Sequence, residues 1–243
     1  MNRVKLFCFP YAGGSAVIYN KWKKYAQMDV EIIPVELAGR GKRLFDEPYG
    51  HIDQAVEDVY QIVVGMIGHH PYALFGHSMG SIIAYKLAQK LRRNNLPAPL
   101  HLFFSGNNAP HLEREDKKKY HLMDDEEFKE EVLELGGTPE EFFSTPELVE
   151  TFLPGLKNDF KIAETEELVS EISPFRTNIS ILLGKEDDLS AEECHGWAKH
   201  TTKICNMYYF NGGHFFINEV TRQVVERVCK TLGEEKLAQS NPI

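Results

Sequence analysis

No apolar run in this chain approaches the roughly 18 residues a membrane-spanning helix needs, so no membrane association of that kind is expected. Cysteine is scarce: Cys8, Cys194, Cys205 and Cys229 are scattered without C-x-x-C spacing. That argues against a zinc site and for buried free thiols in a reducing cytosol. Positive charge is also short, with 27 Lys and Arg against 36 Asp and Glu and a net charge of -9. A nucleic-acid partner is therefore not expected. Neither G-x-x-x-x-G-K-[ST] nor G-x-G-x-x-G is present, which removes the two common phosphate-loop signatures. The start, Met1 to Pro10, carries basic residues but only a short apolar stretch. It reads as a first core strand rather than a signal peptide, and a cytoplasmic location is expected.

What the chain does have is a βαβ rhythm across 243 residues, of which 42% are apolar. Strand-like runs fall at Val4 to Phe9, Glu31 to Val35, Tyr72 to Phe75, Leu100 to Ser105, Ile179 to Leu183 and Cys205 to Phe210. Several lack polar alternation, as in strands covered on both faces. Helical patterns lie between them, at Ala16 to Gln27, Ile52 to Gly68, Ser81 to Asn94, Ala191 to His200 and Phe216 to Leu232. The pattern predicts one α/β domain built on a mostly parallel, doubly wound sheet. Its core would be residues 1–106 and 176–233. Residues 107–175 contain no good strand, only charged helical segments broken by glycine and proline. They are read as a helical insertion over the C-terminal edge of the sheet. The polar tail after Gly233 is expected to fray.

The most informative pentapeptide is Gly76-His77-Ser78-Met79-Gly80, a G-x-S-x-G with a strand before it and a helix after it. Such a turn holds a serine Oγ above a sheet edge, and flanking glycines are needed where the backbone is crowded. Serine needs a base. Of ten histidines, His214 follows the last strand and Asn211-Gly212-Gly213, which puts it at the same edge; His77 adjoins the serine but should point elsewhere. The base needs a carboxylate, and Glu186, Asp187 and Asp188 follow the fifth strand. Chemistry alone does not rank them. The order serine, acid, histidine is that of α/β-hydrolases. Backbone N–H groups for an oxyanion site are offered by Met79 and by the loop Pro10 to Ser15.

With those residues in place, the chain resembles the type II thioesterases, the stand-alone enzymes that accompany nonribosomal peptide and polyketide synthetases. The resemblance runs over Phe9 to Ser15, Glu36 to Gly41, Phe75 to Gly80, Leu135 to Pro139, Gly184 to Asp188 and Gly212 to Phe216. It implies an α/β-hydrolase fold with a helical lid at residues 107–175. It also implies Ser78 as nucleophile, His214 as base, Asp187 as acid and the N–H groups of Ala12 and Met79 as oxyanion donors. The implied substrate is an acyl or aminoacyl thioester on the phosphopantetheine arm of a carrier protein, with no metal or organic cofactor. The implied role is clearing misloaded groups, by a monomer whose partners are carrier domains. Two departures stand out: Ala38 occupies a position where proline is common, and Lys185-Glu186 makes the acid loop unusually charged.

The rival readings are a general esterase or lipase with the same triad and a non-catalytic binding protein on a hydrolase scaffold. A chain-terminating domain cut from a synthetase is a third; the start methionine and the lack of a carrier module favour a separate protein. Lys117-Lys118-Lys119 is a candidate contact for an acidic carrier.

Overall fold

Buried apolar strands joined by helical crossovers must pair in parallel. The computed structural model describes residues 3–113 and 118–240, and its six strands all do so. In chain order they are β1 (Val4–Phe9), β2 (Val30–Pro34), β3 (Tyr72–His77), β4 (His101–Ser105), β5 (Ile179–Gly184) and β6 (Cys205–Phe210). The order across the sheet is β2-β1-β3-β4-β5-β6, so the expected mostly parallel sheet is wholly parallel. Between β1 and β3 the winding reverses, and a crevice opens beyond the strand ends at such a switch point. Phe9 pairs with Gly76, which levels the ends of β1 and β3 there.

Helices cover both faces. They are α1 (Ile52–Ile67), α2 (Met79–Arg93), α3 (Asp125–Leu135), α4 (Glu140–Phe143), α5 (Pro146–Glu164), α6 (Ala191–His195), α7 (Phe216–Glu219) and α8 (Thr221–Ser240). One core packs α1, α2 and Trp197 against Phe7, Leu74 and Phe104; the other packs Trp22 and α8 against Leu6, Phe75 and Phe103. Each fully buried Phe or Leu contributes on the order of 1.5–3 kcal/mol. A third, separate cluster of Phe128, Val132, Phe143, Leu153 and Leu156 holds α3, α4 and α5 together as the expected helical insertion.

Two expectations are corrected. Residues Ala16–Lys24 form a 3-10 helix, which ends short of the expected Gln27. The run from Ala191 to His200 is helical as expected, as α6 followed by a 3-10 helix at Gly196–His200. The tail is not frayed at Gly233, because α8 runs on to Ser240. Glu235 anchors it, accepting from Asn178 Nδ2 at 2.7 Å and pairing with His101 Nδ1 at 3.0 Å.

His200 is wholly buried and pairs with Tyr85 Oη at 3.0 Å and with His111 at 2.8 Å. Burial, then the charges of His111 and Lys199, lower its pKa to about 4. Its folded value lies below that of an unfolded histidine, so its stabilising effect is intact above about pH 6.5 and is lost as pH falls towards 4. Thermal unfolding midpoints should drop across that window. His200→Gln should make the decline shallower; an unchanged slope would remove His200 as its source.

Candidate active site

The G-x-S-x-G turn is as crowded as the sequence requires. A Cβ on Gly76 would lie 1.9 Å from the Gly80 carbonyl oxygen, and one on Gly80 would lie 2.2 Å from that of Phe9. Helix α2 can thus approach β1 and β3 only with glycine at both positions. Ser78 caps the helix at φ 53° and ψ -120°, a conformation costing about 1–3 kcal/mol for a residue with a side chain. Hydrogen bonds offset that strain. Ser78 N–H donates to the Ser105 carbonyl at 2.8 Å, and Asn107 Nδ2 donates to the Ser78 carbonyl at 3.0 Å. Ser81 Oγ bonds the carbonyls of Gly76 and Ser105, both at 2.8 Å.

His77 does turn away from the serine. It is fully buried, with Nδ1 2.8 Å from Ser105 Oγ. Burial, followed by the neighbouring His214, holds its pKa well below the ordinary value, so it stays neutral. Its ring lies 5.2 Å from that of His214 and 5.8 Å from that of Tyr11, centre to centre. This makes it a packed floor beneath the loops.

His214 reaches the same edge on the loop after β6, and the loop after β5 is fastened to it. Lys185 N–H donates to the Phe210 carbonyl at 2.9 Å and Glu186 N–H to that of Gly212 at 3.1 Å. The contact is tight enough that a Cβ on Gly184 would meet the Gly213 carbonyl oxygen at 2.2 Å. His214 Nδ1 consequently lies 3.1 and 3.3 Å from the two carboxylate oxygens of Asp187, both side chains being largely buried. Glu186 and Asp188 are exposed. With Nδ1 engaged, Nε2 is the nitrogen able to take a proton.

Met79 opens α2, where backbone N–H groups have no intrahelical acceptor and the helix dipole favours negative charge. The facing loop turns through a Gly14 N–H bond to the Tyr11 carbonyl at 2.9 Å, with Gly13 at φ 73°. Among the described residues no hydrogen bond engages the Ala12 N–H.

Sequence reasoning passed over four groups here: Ser105 and Asn107, which hold the serine turn, and Arg40 and Asp159, which hold the Ala12–Gly14 loop. Arg40 lies within a segment that carried the resemblance, but without a role; Asp159 had no local signal at all. The insertion covers the edge as expected. Leu156 packs on Gly13, Gly137 packs on the Phe215 ring, and a cavity of about 330 Å³ lies between Gly13, Arg40, Phe142, Phe152 and Leu156. Lys117 falls outside the described residues. Lys118 pairs with Glu131 and, at 4.0 Å, with Glu134, which compensates much of the charge offered by the lysine run. No group of His, Cys, Asp and Glu among the described residues could hold a metal ion, and no helix among them is long and apolar enough to cross a membrane.

The family described as "Thioesterase domain" matches residues 4–235. The chain is 33% identical to the gramicidin S biosynthesis protein GrsT of Aneurinibacillus migulanus, over 95% of this chain and 89% of that one. Among solved structures it superimposes on ClbQ from the colibactin NRPS/PKS pathway with a TM-score of 0.91. Identity there is 33%, over 98% of this chain and all of that one. It also superimposes on the type II thioesterase BorB from the borrelidin biosynthetic cluster with a TM-score of 0.84 and 30% identity, over 95% of this chain and 93% of that one. The chain therefore belongs to the thioesterase family of α/β-hydrolases, among the type II thioesterases.

Proposed function

We propose that the chain hydrolyses acyl and aminoacyl thioesters from the phosphopantetheine arm of carrier domains, editing a nonribosomal peptide or polyketide synthetase. Ser78 is the nucleophile, His214 the base, Asp187 the acid, and the N–H groups of Ala12 and Met79 the oxyanion donors. The observation carrying this reading is the Asp187–His214 pair at 3.1 Å beside the strained Ser78 turn.

His214 Nε2 accepts the Ser78 proton as Oγ bonds to the thioester carbonyl carbon, while Asp187 stabilises the imidazolium. The developing oxyanion accepts from Ala12 and Met79. When the carbon–sulfur bond breaks, His214 returns the proton to the departing thiolate and an acyl-serine remains. Water attacks it, His214 takes the water's proton and passes it to Ser78 Oγ, and the free acid leaves. The same imidazole serves both halves. A relative and neighbours named for gramicidin S biosynthesis, the colibactin NRPS/PKS pathway and the borrelidin biosynthetic cluster support a carrier-bound substrate. On this reading the enzyme works as a monomer in the cytoplasm and docks carrier domains.

The test is a comparison of kcat/KM on one acyl group attached to a carrier protein and to p-nitrophenol. At least a tenfold preference for the carrier-bound form is expected. A preference for the free ester would make the protein a general esterase. A fluorophosphonate that leaves Ser78 unlabelled would revive the non-catalytic reading.

A further inference from the structure

Asp159 lies on α5 in the lid, yet it is only 2% exposed and its carboxylate spans two parts of the core. Oδ2 accepts from the Gly13 N–H at 2.7 Å. The same oxygen accepts from Arg40 Nη1 at 2.5 Å, and Oδ1 accepts from Nη2 at 2.7 Å. Arg40 Nη1 also donates to the Gly14 carbonyl at 3.1 Å. The pair therefore grips the Gly13–Gly14 segment by its N–H at one end and its C=O at the other. Leu156, one turn earlier on α5, fills the space above Gly13: a Cβ there would lie 2.4 Å from its Cδ1. Burial disfavours the Arg40 cation, but Asp159 more than compensates and raises its pKa, so Arg40 stays charged.

A carboxylate this deeply buried is costly unless its partners are fixed. Its three hydrogen bonds form only when α5 is seated on the loop. The Gly13 N–H belongs to the peptide plane that begins at Ala12, so fixing it limits rotation of the backbone next to the Ala12 N–H. We propose that Asp159 is a positioning residue for the oxyanion loop, making the oxyanion site complete only when the lid helix is seated. The proposal rests on the reading of Ala12 as an oxyanion donor.

The experiment measures kcat, KM and thermal midpoint on an acylated carrier protein. Asp159→Asn should lower kcat about 10- to 100-fold, in the range of a weakened oxyanion donor, with KM within about threefold. Because the single change strands a buried guanidinium, the double variant Asp159→Leu with Arg40→Met removes the pair whole. It should regain most of any lost thermal stability while kcat stays low, since the Gly13 N–H still lacks its carboxylate. A kcat that returns with stability in the double variant would reduce the pair to a structural role and overturn the proposal. So would an Asp159→Asn kcat within threefold of the parent, or a loss lying in KM. Ser78→Ala separates the two layers: activity there sinks the reading of the site. An inactive Ser78→Ala beside a fully active Asp159→Asn sinks only the positioning role.

Discussion

Ser78→Ala is expected to abolish deacylation of a loaded carrier protein, by about 10⁴-fold or more, with little change in stability. The nucleophile and its base act as a unit, so removing one forfeits nearly everything the pair supplies. Structure should survive for a specific reason. The turn is held through the Ser78 backbone, by Ser105 and Asn107, and the hydroxyl makes no capping bond to α2. Alanine keeps the Cβ and meets the same φ of 53° at similar cost. Intact-protein mass spectrometry of the carrier reads the result directly. Undiminished release of the acyl group by the variant would remove Ser78 as nucleophile.

Asp187→Asn should lower kcat about 10³- to 10⁴-fold, whereas Asp188→Asn should change it less than twofold. The amide of asparagine offers a donor to His214 Nδ1, which favours the tautomer with its proton on Nε2. That tautomer has no lone pair at Nε2 to accept the serine proton. The lost negative charge also leaves the imidazolium without its counterion. Asp188 is exposed, and the 3.1 Å contact to the imidazole belongs to Asp187. Side-by-side rates on one acylated carrier decide the matter, and a larger loss at Asp188 would overturn the assignment.

The sheet was legible because its strands are short apolar runs bounded by turns, and five of six lie fully or largely inside. β6 belongs to the same pattern by composition, but it sits at the sheet edge and half its residues are only partly buried. A run such as Met207-Tyr208-Tyr209 does not announce that. Helix type was less legible at Ala16–Lys24, where tertiary packing of Tyr19 and Trp22 is served by a 3-10 geometry that side-chain spacing does not distinguish from an α-helix. The tail looked polar because one carboxylate, Glu235, does the anchoring through His101 and Asn178, far away in sequence. At the site, local grammar gave the serine turn and the histidine loop. Three adjacent acids could not be ranked by chemistry, since which one turns inward depends on how the β5 and β6 loops fasten together. Asp159 and Arg40, 119 positions apart, could not be paired at all.

The φ of 53° at Ser78 also bears on how this enzyme can change over evolutionary time. A β-branched side chain is strongly disfavoured at positive φ, so threonine is barred from the position despite carrying a hydroxyl. Cysteine, unbranched and one nucleotide change from serine, is admitted. The bend that presents the nucleophile therefore narrows the nucleophiles admitted at position 78 to unbranched ones, cysteine and aspartate among them, so a lineage leaving serine chemistry has few doors.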